Sequence, residues 1–127
     1  MMDFNIQLPD EEERLRKAFR TRVPGLTARF SEIGLVLDVS DLSATGFAVI
    51  DKNGRFTERE TYDVELQIKG RLFLGGTRAM CMRVREDGIV GLNFTDLERQ
   101  KQIKLDKLVL EVQKRLIALR KKKREQG

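Results

Sequence analysis

Apolar and polar residues alternate in short runs through the middle of the chain, and the period then changes. The clearest run is Asp63 to Lys69, where Val64, Leu66 and Ile68 interleave with Asp63, Glu65, Gln67 and Lys69. A period of two sends successive side chains to opposite faces, so this segment predicts a strand with one wet and one buried face. Leu35-Leu37-Val39, Phe47 to Ile50, Met80-Met82-Val84 and Val90-Leu92-Phe94 repeat the same logic. Turn residues separate them at Asp51-Lys52-Asn53-Gly54 and Glu86-Asp87-Gly88. From Arg22 to about Phe94, strands at this spacing suggest a closed or nearly closed antiparallel barrel.

From Leu97 onward the period lengthens: Leu105, Leu108, Val109, Val112, Leu116 and Leu119 recur at steps of three and four. The spacing predicts an amphipathic helix that starts near Asp96, a residue suited to cap it, and runs into the basic tail. About 28 residues at 1.5 Å each give a length of ~42 Å, more than one small barrel needs to cover an open end. Leu105, Val109, Val112, Leu116 and Leu119 also fit a 4-3 heptad over about two heptads. Packing on the barrel accounts for the first half, and a homodimer or partner contact could account for the rest. At the other end of the chain, Pro9 followed by Asp10-Glu11-Glu12-Glu13 suits the first turn of a short helix through Phe19. The expected division is 1–21, a flexible or helical arm; 22–95, the barrel; and 96–127, the helix and tail, all within one domain.

Composition narrows the chemistry. With no histidine and one cysteine in 127 residues, the chain lacks the usual zinc ligands and the usual base for a Ser or Cys nucleophile. No cofactor or metal is expected, and an enzyme is the least favoured class. Alternation sends Met80 and Met82 to one face and Cys81 to the other, which favours packing over soft-metal or redox chemistry. The longest apolar runs are far shorter than the roughly 20 residues of a spanning helix, and the N-terminus has no apolar signal core, so a cytoplasmic protein is expected. The net charge is +5, but Arg120-Lys121-Lys122-Lys123-Arg124 supplies five positive charges, which leaves the remainder near neutral. With one Tyr and no Trp to stack on bases, nucleic acid is a weak partner class.

Two short patterns remain. Arg16-Lys-Ala-Phe-Arg20 is an R-x-x-x-R, which among fifteen arginines is expected by chance; Arg55/Arg59 and Arg120/Arg124 also satisfy it. Asp41-Leu-Ser43-Ala-Thr-Gly46 is a D-x-S-x-x-G, for which chance gives on the order of 0.02 matches in a chain of this composition. The arginine pair precedes the first strand and the second motif ends the next one, so both can converge on one barrel rim. Arginine's planar fork donates bidentately to phosphate or to the O6/N7 edge of guanine, and its face can stack on a base. Asp41 can accept from the N–H donors of guanine, the Ser43 hydroxyl can bond phosphate or orient a neighbour, and Gly46 lets the backbone turn tightly or lie close to a ligand.

In order and setting these motifs resemble the PilZ family, whose members carry R-x-x-x-R at the N-terminal edge and [D/N]-x-S-x-x-G some twenty residues later. Gly91-Leu92-Asn93-Phe94 before the last helix is similar to that family's closing strand, so the resemblance runs from about residue 14 to 115. It implies a mainly β fold, a six-stranded antiparallel barrel with a long C-terminal helix, and a cyclic di-GMP site made by Arg16, Arg20, Asp41, Ser43 and Gly46. Arg22 stands as a third basic contact, because Arg22-Val23-Pro24 also resembles the arginine before the family's first strand. The resemblance further implies a bacterial receptor and adaptor that passes its signal to a partner protein, in motility, adhesion or biofilm control. Three other readings stay open. The Asp41 to Gly46 segment could be a plain hairpin turn, the barrel a ligand-free interaction module, or the barrel and basic tail a surface for RNA or DNA. On the ligand reading, residues 10–22 are expected to order against the barrel when the phosphates arrive.

Overall fold

A computed structural model of the chain describes residues 20–126, with side chains described as far as Leu119. Arg16, the short helix expected through Phe19, and the side chains of the basic run from Arg120 to Arg124 lie outside the described residues. Within them the elements are β1 (Leu26–Phe30), β2 (Leu35–Leu42), β3 (Gly46–Ile50), β4 (Thr61–Ile68), β5 (Arg71–Val84), β6 (Ile89–Thr95) and α1 (Arg99–Gln126). All strand pairs are antiparallel, and the sheet closes on itself in the order β1-β2-β3-β6-β5-β4. The expected antiparallel barrel with a long C-terminal helix is therefore the fold found. Closure pairs every strand with a neighbour on each side over at least part of its length, which leaves little edge to template pairing with another chain.

Local chemistry explains the path. Lys69 and Gly70, with φ of 51° and 79°, form the two-residue connection between β4 and β5. Positive φ at both central residues gives a turn whose twist matches that of the flanking strands. The 14-residue strand β5 pairs with β4 through Arg71–Met80 and with β6 through Arg78–Val84. Its ladders are interrupted between Val64 and Leu66, Leu66 and Gln67, and Cys81 and Arg83. Such bulges bend a long strand, which lets one segment serve both neighbours of a small barrel.

The core cluster holds a group of aromatic rings among aliphatic side chains. Phe30 meets Phe56 edge-on at 4.9 Å between centroids and lies 6.2 Å from Phe47. The Tyr62 hydroxyl reaches the same cluster and accepts the Thr57 N–H at 2.9 Å. The run Met80-Met82-Val84 does not supply the inward face that its apolarity suggests. Ala79 and Cys81 are fully buried instead, and Met82 is 53% exposed. Thr77, Ala79 and Cys81 alternate inward without interruption up to the bulge that follows Cys81, and burial pushes the Cys81 thiol above its ordinary pKa, the nearby Glu58 charge adding to the rise against a hydrogen bond with the Arg83 backbone.

Helix α1 is held by its first three turns. Leu105 and Val109 are buried against the barrel core, with Leu108 and Val112 partly covered. Gln102 Nε2 donates to the Ala44 carbonyl at 2.9 Å, Lys101 Nζ to the Gly76 carbonyl at 3.1 Å, and Lys104 lies over the Phe73 ring at 5.0 Å. The helix begins at Arg99, three residues after the expected cap. Asp96 instead has φ of 49°, a left-handed conformation that turns the chain out of β6, and the Glu98 carbonyl takes the first helical bond from Gln102. Beyond Val112 the apolar residues Leu116, Ile117 and Leu119 are exposed. No helix among the described residues is long and apolar enough to cross a membrane.

Candidate functional site

The rim of interest forms where the chain enters the barrel. Because β1 pairs with only the first half of β2, the second half is left with an open side, and the entering chain fills it. Thr21 N–H donates to the Leu42 carbonyl at 2.9 Å, and Leu42 N–H donates to the Thr21 carbonyl at 2.7 Å. This pair of bonds sets the alternation of the segment. Thr21 and Val23 are buried, so Arg20 and Arg22 between and beside them face solvent.

On β2 the register shifts between Val39 and Asp41. Val39 and Leu42 are both buried, so the two residues between them, Ser40 and Asp41, share the outer side. Ser40 Oγ donates to the Ala48 carbonyl at 3.1 Å. Arg20 Nη1 then stands 3.4 Å from Asp41 Oδ1, with side-chain exposures of 50% and 33%. That oxygen is shielded from solvent and has no aligned hydrogen-bond donor among the described residues. The two observations agree once attraction and hydrogen bonding are separated: the guanidinium is close enough to attract, but its N–H groups are not aimed along an oxygen lone pair. An exposed pair of this kind is worth ~1 kcal/mol at most, so a ligand that offers both groups better partners can displace it.

Ser43 and Gly46 have their demands met inside the turn. Ser43 is buried; its hydroxyl accepts the N–H groups of Gly46 at 3.2 Å and Thr45 at 3.3 Å, and its own N–H donates to the Gly46 carbonyl at 2.8 Å. Gly46 does not have a positive φ. A Cβ there would fall 2.1 Å from the Leu92 carbonyl oxygen and 2.9 Å from Asn93 Cα, so β6 itself demands glycine. Both residues shape the rim; Arg20, Arg22 and Asp41 are the polar groups presented on it.

A groove of about 440 Å³ runs beside this rim, lined by Arg22, Val36, Asp38, Ser40 and Ile50. A second groove of similar size, about 470 Å³, crosses the far wall over β1, β4 and β5. Its charges are already matched, Arg29 with Glu65 at 3.9 Å and Arg78 with Asp63 at 3.6 Å, which leaves little net field for an anion. Among the described residues no group of three or more His, Cys, Asp or Glu could hold a metal ion. The other strongly placed carboxylate, Asp51, is structural. Burial alone would raise its pKa, but hydrogen bonds from the Arg55 side chain and from the Arg55 and Asn53 N–H groups outweigh that and hold it below the ordinary value.

The sequence singled out the residues of this rim but not what ties them together. The Thr21–Leu42 ladder, the aim of Arg20 at Asp41, and the bond from Gln102 to the Ala44 carbonyl inside the motif turn all join residues distant in sequence. The bulge at Ser40 and Asp41 is the one local cue, since it depends on a polar pair interrupting the apolar alternation of β2.

Comparison with known proteins supplies independent constraints. A family model described as the PilZ domain matches residues 14–111. No curated protein matches the sequence. Among solved structures, the Bacillus subtilis inhibitor of motility (MotI/DgrA) superposes with a TM-score of 0.63 at 20% identity, over 74% of this chain and 48% of that one. Escherichia coli YcgR, solved in complex with c-di-GMP, gives 0.64 at 14% identity, over 82% and 48%. The PilZ domain of CeSA from a cellulose-synthesizing bacterium gives 0.55 at 15% identity, over 76% and 99%. This chain thus spans about half the length of the first two and nearly all of the third.

Proposed function

The chain belongs to the PilZ domain family, and from that premise we propose that it is a receptor for cyclic di-GMP that acts as a ligand-controlled adaptor and not as a catalyst. The observation that carries the proposal is the convergence of Arg20 and Asp41, 21 positions apart in sequence, to 3.4 Å on one rim with Arg22 beside them. In the liganded state the guanidinium of Arg20 turns to a phosphate or to the O6/N7 edge of a guanine, and Asp41 accepts from guanine N–H groups. Each charge exchanges a poorly aligned partner for aligned ones. Arg16 and Arg22 add donors from either side of Arg20, while Ser43 and Gly46 keep the turn in the shape that presents Asp41. That YcgR was solved with c-di-GMP on the same fold supports this reading.

The output is a surface that a partner protein reads in the cytoplasm, and the likeness to an inhibitor of motility supports motility as its field. Titration calorimetry tests the receptor directly. Heat is expected on adding cyclic di-GMP, with little on adding GTP or cyclic di-AMP at equal concentration. A flat trace with cyclic di-GMP and a folded protein would leave the second reading, a ligand-free interaction module. The internal satisfaction of Ser43 is the observation that favours it.

A further inference from the structure

Resting on the cyclic di-GMP reading above, we infer that Arg83 is a further ligand contact, set across a floor of small residues from Arg20 and Asp41. The strand registers carry the argument. Asp41 on β2 is paired with Ala48 on β3, Ala48 with Gly91 on β6, and Gly91 with Arg83 on β5. Paired residues of antiparallel strands share a face. Phe47, Val49, Val90 and Leu92, the chain neighbours of Ala48 and Gly91, are all inside the barrel, so this row faces outward. The bulge after Cys81 is what brings Arg83 opposite Gly91, and Arg83 is exposed. At ~4.8 Å per strand, three steps separate Asp41 from Arg83 by ~14 Å along the wall.

Between those two charges the wall offers only a methyl group and a hydrogen. Gly91 is the informative member. Glycine inside a strand costs stability, and it is retained where something requires it, such as a bulge or the close approach of another group. At Gly46 that group is β6. At Gly91 there is none among the described residues, since an added Cβ would meet no atom of theirs within 4 Å, and its φ is not in the left-handed region. The open space over Gly91 is therefore available to a flat ring lying against backbone, next to Ala48, which is itself buried. The charges around it are arranged consistently with this. Arg78 on the same strand is paired with Asp63, and Arg85 in the next turn with Asp87, whereas Arg83 makes no ion pair among the described residues. A ligand with two guanines and two phosphates has groups for both ends of such a shelf: an acceptor and Arg20 at one side, the fork of Arg83 at the other.

The test is titration of the full chain and three variants with cyclic di-GMP, each checked by thermal unfolding. Arg83→Ala is expected to weaken binding about fivefold or more, as loss of one charge-assisted contact at an open surface should. Gly91→Val should weaken it at least as much by filling the shelf, while melting no lower than the natural chain because valine suits a strand. Arg71→Ala removes the same charge from the other end of β5 and should change affinity by less than about twofold, since distant exposed charges are screened. Unchanged affinity in Arg83→Ala, with the natural chain binding, would overturn the inference and leave the receptor reading standing. Equal weakening in Arg71→Ala would also overturn it, by showing general attraction instead of a contact. A natural chain that does not bind would remove the receptor reading and this inference together.

Discussion

Asp41 holds a carboxylate oxygen out of solvent with a guanidinium nearby and no aligned donor among the described residues, an arrangement with more capacity than they use. Two substitutions measure that spare capacity. Arg20→Ala should reduce cyclic di-GMP affinity tenfold or more, since a charge-assisted contact is worth ~1.5–3 kcal/mol, and should leave the melting temperature nearly unchanged because Arg20 is exposed. Asp41→Ala should lose discrimination for guanine in competition titrations, and should cost more affinity than Ser43→Ala, whose hydroxyl acts through the turn. Gly46→Ala is a different kind of lesion: its Cβ collides with β6 backbone, so about 1–3 kcal/mol of stability should be lost in denaturant unfolding whether or not ligand is present. The identities of these residues were legible in sequence as a motif. Their division of labour was not, because it depends on Leu92 and Asn93, which the chain reaches more than forty residues later. Asp51 provides a pH test. Its carboxyl is held below its ordinary value when folded, so its contribution is complete above about pH 4 and is lost as the pH falls through the lower folded value. Asp51→Asn should be less stable at neutral pH and should flatten that acid limb, as read by unfolding at a series of pH values.

At the scale of elements, the period of the sequence reported strands and helix well because hydrophobic alternation and helical spacing are local. It failed on β5: the apolar run at Met80 and Met82 hides that Ala79 and Cys81, in step with Thr77, are the ones inside. It also misplaced the helix start, since Asp96 is a plausible cap by residue type but is spent on the turn out of β6. The joint between helix and site is another feature that only the fold reveals. Gln102 spans from α1 to the Ala44 carbonyl in the middle of the motif turn and is itself paired with Asp106 at 2.9 Å. A ligand that shifts this turn acts on the helix through that bond. Gln102→Ala is therefore expected to bind cyclic di-GMP within about threefold of the natural chain, ~0.65 kcal/mol. It should also lose part of the ligand-dependent change in hydrogen exchange across residues 99–112. Ligand-dependent protection equal to that of the natural chain would show that the signal leaves by another route.

For the molecule as a whole, the division is between a barrel closed on all sides and a helix that outruns it. The closed barrel gives a rigid wall on which the polar groups are set by strand register, while Leu116, Ile117 and Leu119 remain uncovered on the distal helix. On the proposed reading, cyclic di-GMP binds this wall at the rim built by Arg20, Arg22 and the Asp41 turn. Chemical-shift mapping of backbone amides during a titration locates binding without presupposing a site. The largest changes are expected on residues 20–22 and 41–46, with a second set at Arg83 and Gly91. Saturable changes centred instead on Arg29, Asp63 and Arg78 across the far wall, or no changes at any ligand concentration, would contradict it.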